Sequence, residues 1–211
     1  MADSSTARRV RAPRGVAPAP DHSPAGRAQW DSCIALRFPQ WTAEDLRMRR
    51  VTVSDEHTIS ADLDSVYDCF WNAECWPRIT PHVRKIEMIE ADTRHQRMLM
   101  TVEAHDRLYT VESMRETLPK HTITYRQTRP PVFLTEHTGE WHLDEVQSGV
   151  RVRLMHHAVI DVQRAMETLG LESEEEAVET VRRTLKTNGE RTIVAVKRHL
   201  ESQAGHVAGQ H

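Results

Sequence analysis

The stretch Arg107-Leu108-Tyr109-Thr110-Val111-Glu112-Ser113-Met114-Arg115-Glu116 (RLYTVESMRE) decides how the rest of the chain reads. Side chains of a β-strand alternate between two faces. One face of this segment carries Tyr109, Val111, Ser113 and Arg115; the other carries Leu108, Thr110, Glu112, Met114 and Glu116. The second face, with its two carboxylates, suits water. The first mixes an aromatic ring, an aliphatic side chain, a hydroxyl and a guanidinium, and such mixtures line small-molecule pockets.

The neighbouring segments extend the pattern. In RHQRMLMTVEAHD, Met98, Met100, Val102 and Ala104 alternate with Arg97, Thr101, Glu103 and His105. Turn signals at Asp106-Arg107, Pro119-Lys120, Arg129-Pro130-Pro131 and Gln147-Ser148-Gly149 separate further strand-like runs, VRKIEMIEA before them and HTITYRQT, VFLTEHTGEWHLDEV and VRVRLMHHAVID after. Consecutive strands joined by short turns form an antiparallel meander. Those turns set Met100 opposite Ser113, Val102 opposite Val111, Ser113 opposite Arg126, Arg115 opposite Thr124, Trp141 opposite Val152 and His137 opposite His156. One concave face then gathers Met98, Met100, Tyr109, Ser113, Arg115, Arg126, His137, Trp141, Leu154 and His156, with Val111 beside them. A slip of one residue would turn any of these strands over.

A solid core would not accept that set, because burying an unpaired guanidinium is costly. The face is expected to enclose a cavity. Arg126 has the alternative of reaching solvent from a strand end, and Arg115 that of pairing with Glu87 or another acid. His137 and His156 could meet across two strands, but no third ligand is evident and no metal is expected. Ser113 has no obvious base nearby, which makes it a poor covalent nucleophile.

The flanks supply helices. Val51, Val53 and Ile59 suggest a first strand at the start of the folded domain. Asp62, Asp64 and Ser65 then provide helix-starting chemistry ahead of Val66, Phe70 and Trp71. In NAECWPRITPHV, Pro77 and Pro81 leave room for one short helix, with Trp76 where it meets the sheet, as core or as ligand contact. Near the end, Ser173 and Glu176 form a capping box. Ala177, Val178, Val181, Leu185, Ile193, Val196 and Leu200 mark the apolar face of a long helix laid on the sheet. Asn188-Gly189 in its middle reads as a kink or as an approach to bound ligand.

Composition bounds the rest. The 211 residues allow one domain with appendages, and a net charge of -3 with interspersed signs gives no field for nucleic acid or an anionic membrane. No apolar run is long enough to span a bilayer. The three cysteines lack metal-ligand spacing and cannot all pair, and a reduced cytoplasm is the simplest home. Residues 1–27, rich in proline and arginine, are expected to be a disordered arm. Residues 28–50, with Trp30, Phe38, Trp41 and a helix start at Thr42 and Asp45, read as a docking strap; 51–203 form the domain and 204–211 a flexible tail.

The element order, a strand, two short helices, six antiparallel strands and a long C-terminal helix, resembles the helix-grip fold of START-like domains, an α+β arrangement with a curved sheet wrapped around its last helix. Within that superfamily the chain is most similar to bacterial polyketide aromatase/cyclases. The matching pieces are WPRITPHV, YTVESMR, Tyr125-Arg126, Trp141 and TNGERTIVAVKRHL, covering residues 51–200. The resemblance implies a cofactor-independent enzyme. It would take a poly-β-ketone tethered to an acyl carrier protein, fold it in the cavity, and promote regiospecific aldol cyclisation and dehydration to an aromatic ring. It implies that Ser113 and Arg115 act on substrate carbonyls with Arg126 assisting, while Trp76, Tyr109 and Trp141 shape the chain; Met98, Met100, Val111 and Leu154, from the face they share, and Asn188, from the long helix, are read as further substrate contacts. From residue type, Arg115 would stabilise developing negative charge, and from placement alone His137 or His156 would move protons. Arg115→Ala is expected to fold and to scatter the product among ring isomers. Val111 stands where relatives often have a second inward tryptophan, and the two histidines are unusual on that face. The alternative is a non-catalytic binding or transport protein for a quinone, lipid or polyketide; a third reading makes the arm and strap an interaction module.

Overall fold

The computed structural model describes residues 47–208, Lys120 excepted. The expected arm and most of the expected strap, with its helix start at Thr42 and Asp45, lie outside these residues, as do the last three residues of the expected tail. A strand β1 (Met48–Ile59) leads into helix α1 (Leu63–Trp71), a 3-10 turn (Ala73–Cys75) and helix α2 (Trp76–Ile79). Six strands follow: β2 (Val83–Ala91), β3 (His95–Ala104), β4 (Arg107–Leu118), β5 (Thr122–Arg129), β6 (Leu134–Val146) and β7 (Gly149–Asp161). Helices α3 (Val162–Leu169) and α4 (Glu174–Ala208) complete the described chain. All neighbours in the sheet are antiparallel, in the order β1-β7-β6-β5-β4-β3-β2, so the first strand closes the far side of the meander. This is the α+β helix-grip arrangement expected from the sequence.

Local chemistry explains the helix starts. Asp62 accepts from the Ser65 amide at 2.8 Å, satisfying a donor that the first turn leaves free. Pro77 sits in the first turn of α2, where its missing N–H costs nothing. Ser173 accepts from the Glu176 amide at 3.2 Å, the capping contact read from the sequence. Helix α3 was not expected. Asp161 caps it through the Arg164 amide at 3.1 Å, and Gly170 ends it with φ of 70°.

Turn lengths set the faces. The β3–β4 turn is His105-Asp106, both residues at positive φ (52° and 56°), as a type I′ turn requires. Met98 therefore faces Ser113 and Met100 faces Val111, two residues from the expected register, and the pocket face is kept. The β6–β7 hairpin is also shifted by two, pairing Trp141 with Leu154 and His137 with Ala158. The β4–β5 connection differs by one. Three residues, 119–121, separate Leu118 from its partner Thr122, and His121 takes a φ of 51°. Ser113 then faces Gln127 and Arg115 faces Tyr125, so Arg126 is turned outward and exposed. The outer face of β4 also differs from expectation: Glu112 is buried beneath Arg97 and Arg129, at 2.8 and 3.0 Å.

Helix α4 packs against β1 and β7 and touches α1, α2 and α3. It joins two separate core clusters. Ile193 and Val196 pack with Phe70, Trp76, Ile123 and Trp141; Ala177 and Val181 pack with Val51, Phe133, Leu134 and Ala158. Between them, Leu185, Asn188, Gly189 and Thr192 line an internal space, with Leu185 also packed on the second cluster. The helix runs unbroken through Asn188-Gly189, so the glycine makes no kink at the level of secondary structure. Instead it permits close approach: a Cβ there would lie 2.6 Å from Leu154 Cδ2, 3.0 Å from His156 Nε2 and 3.3 Å from Asp55 Oδ2.

Candidate functional site

The space between α4 and the sheet is a cavity of about 140 Å³. A cavity of this size suits a ring-sized portion of a guest, since an engineered hole of about 150 Å³ admits benzene. Its wall contains the expected Trp76, Met98, Met100, Tyr109, Val111, Ser113, Arg115, His137, Trp141, His156 and Asn188. Arg126 is not on it, for the reason of register given above, and Leu154 packs in the core beside it. Among the wall residues missed from the sequence are Tyr125, Gln127, His82, Phe133, Thr184 and Thr192. Tyr125 and Gln127 were one register step from the residue chosen. His82 and Thr192 required knowing that the Pro81 turn meets α4, where His82 Nε2 lies 3.3 Å from Thr192 Oγ1.

Arg115 is buried and held without a carboxylate. Its Nη2 donates to the Phe70 carbonyl at 2.6 Å; its Nη1 donates to the Trp71 carbonyl at 3.1 Å and to Gln96 Oε1 at 3.0 Å. The guanidinium carbon lies 5.3 Å from the Trp71 ring and 5.2 Å from that of Trp76. The carbonyls of Phe70 and Trp71 end α1, so a cation completes the negative end of the helix dipole. Burial lowers the Arg115 pKa to about 10, which leaves it charged at neutral pH. The pairing with Glu87 considered from sequence is replaced by these backbone acceptors.

Trp76 donates from Nε1 to the Cys69 carbonyl at 3.1 Å and meets Trp141 edge-on at 6.3 Å; Trp141 also packs on Phe70 at 4.8 Å. These rings form a rigid floor. Along the same cavity, several buried polar atoms have no partner among the described residues: Ser113 Oγ, the Tyr109 hydroxyl, Gln127 Oε1 and His82 Nδ1. Buried polar atoms are nearly always satisfied, so this group on one apolar wall points to a guest carrying donors and acceptors.

A second polar group spans β5, β6 and β7. The Tyr125 hydroxyl contacts His156 Nδ1 closely and lies 3.2 Å from His137 Nε2, which is itself 3.3 Å from His156 Nδ1. Gly139, opposite His156, leaves the place that the Tyr125 ring fills. Burial depresses the pKa of His137 to about 4 and that of His156 to about 3, with His137 and His157 adding to the latter. Both rings are neutral at pH 7. Burial pushes the Tyr125 hydroxyl up, so it keeps its proton. Among the described residues no group of histidine, cysteine or acidic side chains is arranged to hold a metal, and no helix is long and apolar enough to cross a membrane.

The model of the polyketide cyclase / dehydrase and lipid transport family matches residues 59–194, well over half of the chain. The chain belongs to that family. This polyketide cyclase / dehydrase family member is 31% identical over 154 residues to the actinorhodin polyketide synthase bifunctional cyclase/dehydratase of Streptomyces coelicolor, covering 67% of this chain and 46% of that protein. It is 32% identical over 92 residues to the granaticin polyketide synthase bifunctional cyclase/dehydratase of Streptomyces virginiae, covering 43% of this chain and 30% of that protein. Among solved structures, the di-domain ARO/CYC BexL from the BE-7585A biosynthetic pathway superposes with a TM-score of 0.66 at 32% identity, over 72% of this chain and 50% of that one. The Zhui aromatase/cyclase of a Streptomyces species, at 22% identity and a TM-score of 0.64 over 74% of this chain and 96% of that one, shares the fold. The chain spans half the length, or less, of the curated relatives it matches.

Proposed function

We propose that this domain is a polyketide aromatase/cyclase. The observation that carries the reading is the row of unpartnered Ser113, Tyr109 and Gln127 polar atoms on an otherwise apolar cavity wall, beside a buried cation. A poly-β-ketone alternates carbonyl oxygens with acidic methylenes, so it supplies acceptors for the hydroxyls and anionic character for Arg115 to stabilise once an enolate develops. Three of the guanidinium's five N–H bonds are taken by Phe70, Trp71 and Gln96, which fixes the direction of the remaining two. Holding the chain bent over the Trp76 and Trp141 rings brings one methylene against one carbonyl, and such positioning alone is worth many orders of magnitude in rate. Ser113 and Tyr109 would orient the carbonyls; Met98, Met100 and Val111 would exclude water from the enolate.

The substrate would arrive on an acyl carrier protein in the cytoplasm, a location that suits the free thiols of Cys69 and Cys75. Incubation with a minimal polyketide synthase, followed by mass and ring-pattern analysis, tests the reading. A single aromatic product that replaces the spontaneous mixture is expected; an unchanged mixture would refute it. The rival is a carrier for a hydrophobic molecule, favoured by the predominance of apolar side chains on the wall. Copurification of an unaltered quinone or lipid with no turnover would decide for it.

A further inference from the structure

Buried histidines that never charge are poor acids and bases one at a time, because each would have to become an imidazolium in an apolar wall. Tyr125, His137 and His156 are not one at a time. Their inner atoms, the phenol oxygen, His137 Nε2 and His156 Nδ1, form a triangle of mutual contacts. Their outer ring nitrogens, His137 Nδ1 and His156 Nε2, are buried and have no protein partner. All three residues line the cavity. We propose that Tyr125, His137 and His156 form a neutral proton relay, which takes a proton at one outer imidazole nitrogen and releases one from the other. This deepens the cyclase reading and rests on it.

The protons balance without an added reagent. In one state His137 carries its hydrogen on Nε2 and donates to the phenol oxygen, the phenol donates to His156 Nδ1, and His156 Nε2–H faces outward. A proton arriving at His137 Nδ1 sends the Nε2 proton to the phenol oxygen and the phenol proton to His156 Nδ1. The His156 Nε2 proton then leaves. Both rings end as the opposite tautomer, and no charge has been created. An aldol addition requires this exchange: the carbon–hydrogen bond of a methylene breaks, a carbon–carbon bond forms, and the carbonyl oxygen gains a proton. Loss of water repeats the balance, one proton from carbon and one onto the departing hydroxyl, and returns the relay to its first state when it runs in reverse. Gly139 and Gly189 leave room for it, the first beneath the Tyr125 ring and the second beside His156 Nε2 and Asp55 Oδ2.

The test uses the full chain with a minimal polyketide synthase, comparing wild type with Tyr125→Phe, His137→Gln and His156→Asn. The two amide substitutions keep a hydrogen-bonding atom near the triangle but cannot pass a proton. The relay predicts that each variant, still folded by circular dichroism, forms aromatic product at least tenfold more slowly. It also predicts a curved proton inventory in mixed light and heavy water for wild type. Folded His137→Gln or His156→Asn protein with the wild-type rate would overturn it, as would nitrogen-15 spectra of wild type at pH 7 showing either ring protonated on both nitrogens. If Tyr125→Phe does not fold, the amide variants and the spectra still decide. Wild type that yields no cyclised product would overturn the cyclase reading itself, and the relay with it.

Discussion

The Arg115 guanidinium closes the C-terminal end of α1 on the Phe70 carbonyl, 2.6 Å away, in a contact between residues 45 positions apart. The side chain most easily read as catalytic is therefore also a structural part of the fold. Arg115→Ala would strip Phe70 and Trp71 of their cationic donor and leave a void between two tryptophans. We expect a loss of about 2–4 kcal/mol, read by urea unfolding, with Arg115→Lys recovering only part because an ammonium lacks the planar fork. This changes the expectation that Arg115→Ala simply folds: its product pattern has to be read well below its melting temperature. Stability within about 0.5 kcal/mol of wild type would show that the cap supports nothing.

Ser113 gives the opposite sign. Its buried hydroxyl has no protein partner, so Ser113→Ala removes a desolvated group and leaves little space. The variant should be as stable as wild type or slightly more so, while forming less of the single aromatic product. A fall in melting temperature of several degrees would argue that the hydroxyl serves packing instead.

Acid should destabilise the domain in a defined window. His82, His137 and His156 are neutral in the fold, with pKa values lowered by burial to about 4, 4 and 3. In the unfolded chain they titrate near the ordinary value of about 6.5. The unfolded state therefore binds more protons below that value, and stability falls as the pH drops from there toward 4, by up to about 1.4 kcal/mol per pH unit for each histidine. Urea midpoints measured at pH 7, 6, 5 and 4.5 should show that slope, and His82→Asn should make it shallower. A flat profile would mean that these rings are hydrated.

The two neighbours on β5 should separate cleanly. Arg126 is exposed, whereas Gln127 turns a carbonyl oxygen into the cavity without a partner. Arg126→Ala is expected to leave quenching of the Trp76 and Trp141 fluorescence by an anthraquinone probe unchanged; Gln127→Leu should alter its affinity severalfold. The reverse result would place β5 one residue out of register.

Gly189→Ala should cost stability although alanine favours helix. The added Cβ would meet Leu154 Cδ2 at 2.6 Å, closer than any relaxed contact. Overpacking of about 1–3 kcal/mol outweighs a propensity gain of about 1 kcal/mol, giving a net loss in thermal melts. A stabilised variant would show that Leu154 can turn aside.

How far the sequence went can be traced to individual residues. The alternation in β4 put Tyr109, Val111, Ser113 and Arg115 on one face, and burial of one face leaves that assignment no freedom. Errors of two residues at the β3–β4 and β6–β7 turns were harmless because the strand period is two. The error of one at β4–β5 was not, and it exchanged Arg126 for Tyr125 and Gln127. A proline and a lysine mark a turn there, but not that His121 extends it by adopting positive φ. Arg115 was correctly turned inward, yet its acceptors are main-chain carbonyls on a helix far away in sequence, which no side-chain pattern announces. Helix α3 escaped because it follows β7 without a gap, and its eight residues are few for a periodic signal.

The closing helix resembles a beam carried on two supports. Ala177 and Val181 bear on one core cluster and Ile193 and Val196 on the other, while the span between them touches mainly the guest chamber. On that span Asn188 faces the chamber outside both clusters, whereas Leu185 packs on the second cluster and Gly189 is held close to Leu154. A domain built in this way can drift toward new molecules while its folding stays fixed, and the place to look for altered selectivity is Asn188, which lines the chamber midway between the two supports.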